Sequence, residues 1–376
     1  MTKRFGGKLR AFAFLLPLIM ALALSCAQDS IFSGIAAEQE PKDPRIAGTP
    51  ANIVAIGNAV YAASIGSGTI HKYEGGWSTF GSNGGRVIGL ASDGTDLYAL
   101  TGGDRMNASL KKYPVSGETW STIGKGDAEG FSLQYIYGAG ERLFAGGSQG
   151  GNWKVFYTDG AADLQEVPDM PANSSSQLSG AAADGSGNFY IATFGNGIFI
   201  TDLLSGTAQV AAGAQVTGIL NVNGVITAVT RGGQILAYDG SDFIAISTGG
   251  PNYTGGMSIW KEYINTGTEV APAGVWESKL LLLGMQSRSS YSKGYREIEL
   301  DSAGKPFMPP IHVEVNSPGS IIPSSVALED RKKYDASIAR YSVFHILQVP
   351  REPVIFASTA NNGLQSLRGG LWNAEE

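Results

Sequence analysis

Cysteine is almost missing from this 376-residue chain; Cys26 is the only one. No disulfide can form within the chain, so the fold must be held by burial alone. Histidine is nearly as scarce, with His71, His312 and His345 far apart and no second His two or four residues from any of them. A zinc or iron site needs at least three convergent ligands, so these histidines are expected to be structural or solvent-facing, with no metal and no cofactor. Charge is thin as well: 16 % of residues, 27 Lys and Arg against 33 Asp and Glu, with no basic cluster beyond the amino terminus. Nucleic acid and anionic membrane surfaces are therefore poor partners. No long stretch keeps a 3.6-residue apolar period, which leaves helix little room. The twelve-residue calcium loop and the Trp-Asp dipeptide are also absent.

What the chain does have is glycine, 52 residues of it, set between short apolar runs. The pattern is clearest from Arg86 to Ile123. Val87–Ala91 ends at Asp93-Gly94, and Leu97–Leu100 runs into a Gly-rich loop. Leu110–Tyr113 and Thr119–Ile123 complete the unit. Aliphatic and aromatic runs of this length between turn residues read as four antiparallel meander strands. The unit recurs: Asn58 before Val60-Tyr61-Ala62, Gly140 before Leu143-Phe144-Ala145, Asp184-Gly185 before Phe189-Tyr190-Ile191, and Asn223-Gly224 before Val225-Ile226-Thr227. A spacing of roughly 35 to 50 residues belongs to propeller blades.

Seven units are expected, beginning near Asn52, Arg86, Ser132, Gln177, Gln215, Gly256 and Ser320. The fold class is therefore all-β, a β-propeller of seven four-stranded blades; six is the alternative if 256–338 forms one unit with a long insertion. Small residues in the first strand of several units, Gly89, Gly180 and Gly218 among them, suit a crowded hub. Asp93, Asp159, Asp184 and Asp239 sit where a carboxylate caps its own turn, a better use for them than glycosidase chemistry.

The first 25 residues are a separate element. Lys3, Arg4, Lys8 and Arg10 precede an apolar run from Ala11 to Leu24, too short for a comfortable membrane span and interrupted by Pro17. Ala23-Leu24-Ser25-Cys26 resembles a bacterial lipoprotein lipobox, although Ala23 stands where Leu is usual. The resemblance implies diacylglycerol on the Cys26 thiol. Simple cleavage at Ala23-Leu24-Ser25 is the alternative. Each buried CH₂ contributes about 0.8 kcal/mol, so two or three acyl chains would hold the protein on a bilayer. A mature chain from Cys26 loses four cations and carries −10 instead of −6. Residues 26–50, small, polar and bearing Pro41 and Pro44, are expected to form a flexible stalk, leaving 51–376 as the propeller.

The Tyr73-Glu74-Gly75-Gly76-Trp77 turn, echoed at Arg368–Trp372, and Thr359–Leu364, echoed at Thr193–Ile198, resemble bacterial propeller repeats of the two-component-regulator and NHL-like kinds. That resemblance implies a fold and a habit of binding, not an activity. A sialidase-like repeat is matched only by Gly117-Glu118-Thr119-Trp120, with Tyr113 and Val115 in place of its Ser and Asp. Trp77, Trp120 and Trp372 are expected to pack between blades. Trp153 and Tyr291, in polar or Gly-rich loops, are the candidates to face a ligand. The expectation is a non-enzymatic, membrane-anchored scaffold of the cell envelope that binds a protein or glycan. An envelope-assembly factor, or a propeller hydrolase or lyase, is the alternative.

Overall fold

The computed structural model describes residues 45–376, apart from 83–84, 103–107, 116, 118, 268–273, 287–293, 308–311, 314–337, 339–340, 370 and 376. Cys26, the leader, most of the expected stalk, Tyr291 and the charged stretch 327–337 lie outside the described residues.

Within them, 28 strands form seven four-stranded sheets, each built from four consecutive strands in simple meander order. Blade 1 spans β1 (Val54–Ile56) to β4 (Trp77–Ser82); blade 2 spans β5 (Val87–Ser92) to β8 (Ser121–Ile123). Blade 3 spans β9 (Ser132–Ala139) to β12 (Gln165–Glu166), and blade 4 β13 (Leu178–Ala183) to β16 (Thr207–Val210). Blade 5 spans β17 (Val216–Val222) to β20 (Phe243–Ser247). Blade 6 runs from β21 (Tyr253–Asn265) and β22 (Gly274–Met285) to β24 (His312–Val313), and blade 7 from β25 (Val343–Gln348) to β28 (Leu371–Ala374). The one helical element described is a short 3₁₀ turn at Gly126–Ala128. Seven blades, not six, is the count. The seventh blade's first strand is Val343–Gln348, and residues 314–337, where the seventh unit is expected to begin, lie outside the described residues.

Each sheet is apolar on both faces, so it can hide them only between two neighbours. The second strands show this most plainly: all four residues of β2 (Ala59–Ala62) and all five of β26 (Ile355–Thr359) are buried. Seven apolar clusters result, one per pair of adjacent blades. Tyr61 and Ile70 meet Leu90 and Leu97 between blades 1 and 2, for example. Tyr295 and Leu282 meet Trp372 and Ile346 between blades 6 and 7. The seventh cluster joins Val60 and Tyr73 of blade 1 to Val354 and Phe356 of blade 7, and so closes the ring. Burying one such side chain contributes about 1.5–3 kcal/mol. Trp77 and Trp372 sit in these seams, Trp77 stacked 5.2 Å from Phe356 and Trp372 5.5 Å from Tyr295.

Closure also draws on residues given to the stalk by the sequence. Ile46 is 1 % exposed within the closing cluster. Its carbonyl accepts from Leu364 N–H at 3.0 Å, Gly48 O accepts from Gly363 N–H at 2.7 Å, and Arg45 N–H donates to Glu375 O at 2.8 Å. The packed domain thus begins by Arg45, because an apolar Ile at position 46 finds a groove beside β27 (Leu364–Arg368).

Blade 6 carries the main irregularity. β21 and β22, thirteen and twelve residues long, pair all the way from Tyr253↔Met285 to Asn265↔Gly274. The two strands thus form one long hairpin, whose residues 268–273 lie outside the described residues.

Candidate functional site: the mouth of the central channel

The first strand of each blade lines the axis, and the register of these strands repeats one fault. Val87 faces Thr101 while Gly89 faces Leu100, leaving Ile88 as an extra residue. The same slip leaves Gln134 in β9, Ser179 in β13, Thr217 in β17 and Phe344 in β25. In β21 three residues, Thr254 to Gly256, face one. Blade 1 repeats it before β1: Pro50 bridges Ser64 and Val54 pairs Tyr61, so four steps oppose three around Asn52. Bulges re-aim side chains and cluster near functional sites. Here they form a ring, with one such irregularity in each blade.

The bulge residues divide into two groups. Small hydroxyl residues are tied to backbone: Ser179 Oγ donates to Val216 O at 2.8 Å and Thr217 Oγ1 to Val229 O at 3.2 Å, while Thr254 Oγ1 donates to Val343 O. The long ones, Asn52, Ile88, Gln134 and Phe344, line an open cavity of about 500 Å³ bordered mainly by blades 7, 1, 2 and 3, and Thr254 of blade 6 borders it as well. Farther along the same strands a chamber of about 390 Å³ is lined by all seven first strands, and Asn52, Tyr137 and His345 belong to both. The hub is narrow because glycine makes it so. A Cβ on Gly218 would lie 2.5 Å from Gly255 Cα, and one on Gly256 would lie 2.6 Å from Phe344 O.

Several polar side chains reach the mouth cavity without a partner among the described residues: the Asn52 amide, the Arg86 guanidinium, the Tyr137 hydroxyl and the His345 imidazole. Burial holds His345 down to about 4, so the ring is neutral at pH 7, and pushes the Tyr137 phenol above its usual range. Gln134 and Tyr135 are anchored instead. Gln134 Nε2 donates to Ser148 Oγ at 3.0 Å, and Tyr135 Oη accepts from Gln177 Nε2 at 2.8 Å. No Asp or Glu stands among the described lining residues of either chamber.

Trp153 lies at the start of β11 (Asn152–Thr158), half-buried, its ring 5.6 Å from that of Tyr135. It therefore stands behind a mouth residue and is not among those that line the cavity. His71 is in β3 (Thr69–Tyr73) with Nδ1 buried and unpaired, and His345, expected to be structural or solvent-facing, lines the channel. No group of three His, Cys, Asp or Glu that could hold a metal is found among the described residues. Gly146-Gly147-Ser148-Gln149-Gly150 spells Gly-x-Ser-x-Gly. It lies on and just after strand β10 (Arg142–Gln149), not on the strand-to-helix elbow that exposes a nucleophile. The turn aspartates cap their own backbone: Asp93 accepts from Thr95 and Asp96 N–H at 2.9 and 2.7 Å, and Asp239 from Ser241 and Asp242 N–H at 2.8 and 3.0 Å.

No family model and no curated sequence is similar enough to match the chain. Solved structures are similar in fold. A catalytically inactive virginiamycin B lyase from Staphylococcus aureus, solved with quinupristin, superposes with a TM-score of 0.54 at 12 % identity, over 86 % of this chain and 95 % of that one. YCF48 bound to D1 peptide gives 0.51 at 10 % identity, over 90 % and 94 %. The extracellular domain of a putative hybrid two-component system from B. thetaiotaomicron gives 0.50 at 14 % identity, over 85 % of this chain and 40 % of that one. At these identities the likeness is one of fold. The chain is a seven-bladed β-propeller.

Mouth residues were hard to see in advance because a bulge is a pairing event, invisible without the partner strand. A faint signal exists. Each unit opens with an apolar or small residue and then the bulge residue: Ala51-Asn52, Val87-Ile88, Leu133-Gln134, Leu178-Ser179, Val216-Thr217, Tyr253-Thr254 and Val343-Phe344.

Proposed function

We propose that this propeller is a non-enzymatic binding scaffold of the bacterial cell envelope, anchored through lipid on Cys26, which takes a protein or glycan ligand at its channel mouth. The observation that carries the reading is the ring of bulges. It borders a cavity of about 500 Å³ whose lining includes four polar side chains without a partner among the described residues. These groups are open to solvent, and a few convergent polar groups in a largely apolar concavity are what a ligand site offers. A hydrolase needs a nucleophile or an acid–base pair. The described lining includes a neutral imidazole and a phenol but no carboxylate. The lyase among the structural neighbours supports a shared fold alone. The anchor rests on the lipobox-like Ala23–Cys26, and the envelope location on that anchor.

Photo-crosslinking in native cells tests the site. The full-length protein carries the photoreactive residue in place of Ile88, or of Leu204, a turn residue 90 % exposed and far from the channel. Adducts from position 88 and none from 204 are expected; equal labelling would sink the site. Cys26→Ser is expected to release the protein from the membrane fraction, and unchanged partition would sink the anchor.

A further inference from the structure

Resting on the mouth as a binding site, we infer that its ligand is the carboxylate-bearing terminal sugar of a glycan. Arg86 meets the carboxylate, and Asn52, Tyr137 and His345 meet ring hydroxyls.

Charge comes first. The chain is acidic overall, with a formal net charge of −6, yet the described lining of the mouth includes one guanidinium and no carboxylate. A cationic ligand would meet Arg86 with nothing to offset it. An anion would meet an exposed arginine that has no partner and no competing lining acid among the described residues.

Donor chemistry comes next. An amide, a phenol and a neutral imidazole can each both donate and accept, as a sugar hydroxyl does. Three such groups without partners among the described residues, all at the junction of the two chambers, are too many for a purely apolar ligand. Displacing water there without replacing its hydrogen bonds would cost affinity. Ile88 and Phe344 supply the apolar surface on which the C–H face of a sugar ring can rest. A peptide is the poorer fit, because strand addition needs a free strand edge. The inner strands approach one another so closely that only glycine fits, as at Gly218 and Gly255. The neck beyond the mouth also favours a chain end over the middle of a polymer.

Calorimetry on the intact propeller tests this, with two probes that differ only in the last sugar: a glucuronic-acid-terminated oligosaccharide and its glucose-terminated counterpart. The acid probe is expected to bind roughly tenfold or more tightly, the usual worth of one charge-assisted hydrogen bond. Arg86→Gln, a substitution at an exposed residue that leaves packing alone, is expected to erase that preference by weakening the acid probe only. Asn52→Ala is expected to weaken both probes. Equal binding of the two, unaltered by Arg86→Gln, would overturn the acidic-sugar inference while leaving a binding mouth. Binding of neither probe, or tight binding of a peptide with a free carboxyl terminus instead, would overturn the glycan. The mouth itself falls if crosslinking at position 88 is no stronger than at position 204.

Discussion

Gly255 shows how little freedom a residue at the hub has. It adopts φ +97°, and a Cβ there would sit 1.9 Å from Thr217 O, a backbone atom of the next blade that cannot step aside. Gly255→Ala is expected to cost roughly 3 kcal/mol or more, from overpacking and left-handed strain together. Gly57, at φ +60° with nothing within 4 Å, is the control, and its Ala variant should lose only about 1 kcal/mol. Urea midpoints of the two variants check the contrast; equal losses would mean the hub is not close-packed. His345 makes a second prediction. Its folded pKa of about 4 lies below the ordinary 6.5, so between those values the unfolded chain binds more protons than the folded one. Its contribution to stability is complete above pH 6.5 and is lost as pH falls toward 4. His345→Gln is expected to flatten stability in that window, measured by urea titrations from pH 7.5 to 4. An unchanged slope would place His345 in bulk-like water.

Among the elements, the blade 6 hairpin depends most on one side chain. Where β21 leaves the body of the propeller, the Gln348 amide clamps it: Lys261 N–H donates to Gln348 Oε1 at 2.6 Å, and Gln348 Nε2 donates to Lys261 O at 2.8 Å and to Glu352 O at 3.0 Å. Beyond the clamp the ribbon stands clear, with Tyr263 and Val275 about half exposed and Tyr263 packed 5.5 Å from Trp276 across the strands. Gln348→Ala strips a buried, reciprocal pair from Lys261, so a loss of about 1–3 kcal/mol is expected. Hydrogen exchange should localise the effect to Lys261–Asn265 and the facing residues; uniform exchange across all blades would argue against a local clamp. The strands themselves were legible beforehand. β5 to β8 match the runs around Val87, Leu97, Leu110 and Ile123 to within about two residues. Blade 6 was less so, because a hairpin that leaves the core sheds the apolar alternation that marks a strand.

At the scale of the molecule, stability turns on one seam. Each blade is a complete four-stranded sheet, so no strand is exchanged between the first and last blades and closure depends on side chains and on residues 45–50. Arg368 pairs with Glu375 at 2.6 Å, Trp77 Nε1 donates to Glu375 Oε1 at 2.9 Å, and Tyr73 Oη to Glu352 Oε2 at 3.0 Å. Removing residues 1–44 is expected to leave the unfolding midpoint unchanged. Removing 1–50 takes Ile46 out of the closing cluster and should cost at least the roughly 2–5 kcal/mol of an Ile→Ala change in a core. Equal midpoints for the two truncations would mean the ring closes without this segment.

The sequence by itself determined the architecture: period-two apolar runs, Asp-Gly and Asn-Gly turns and a repeat of blade length leave few ways to bury both faces of every sheet. It also determined the turn chemistry, because an aspartate capping the next two or three residues is a local matter, as at Asp93 and Asp184. Tertiary structure alone decided the site. Asn52, Arg86, Tyr137 and His345 are separated by dozens to hundreds of residues and meet only because closing the ring turns seven first strands toward one axis. The bulges that aim their neighbours exist only in the register between two strands. That register is set by the fit of each blade against the next, a property no single stretch of chain contains.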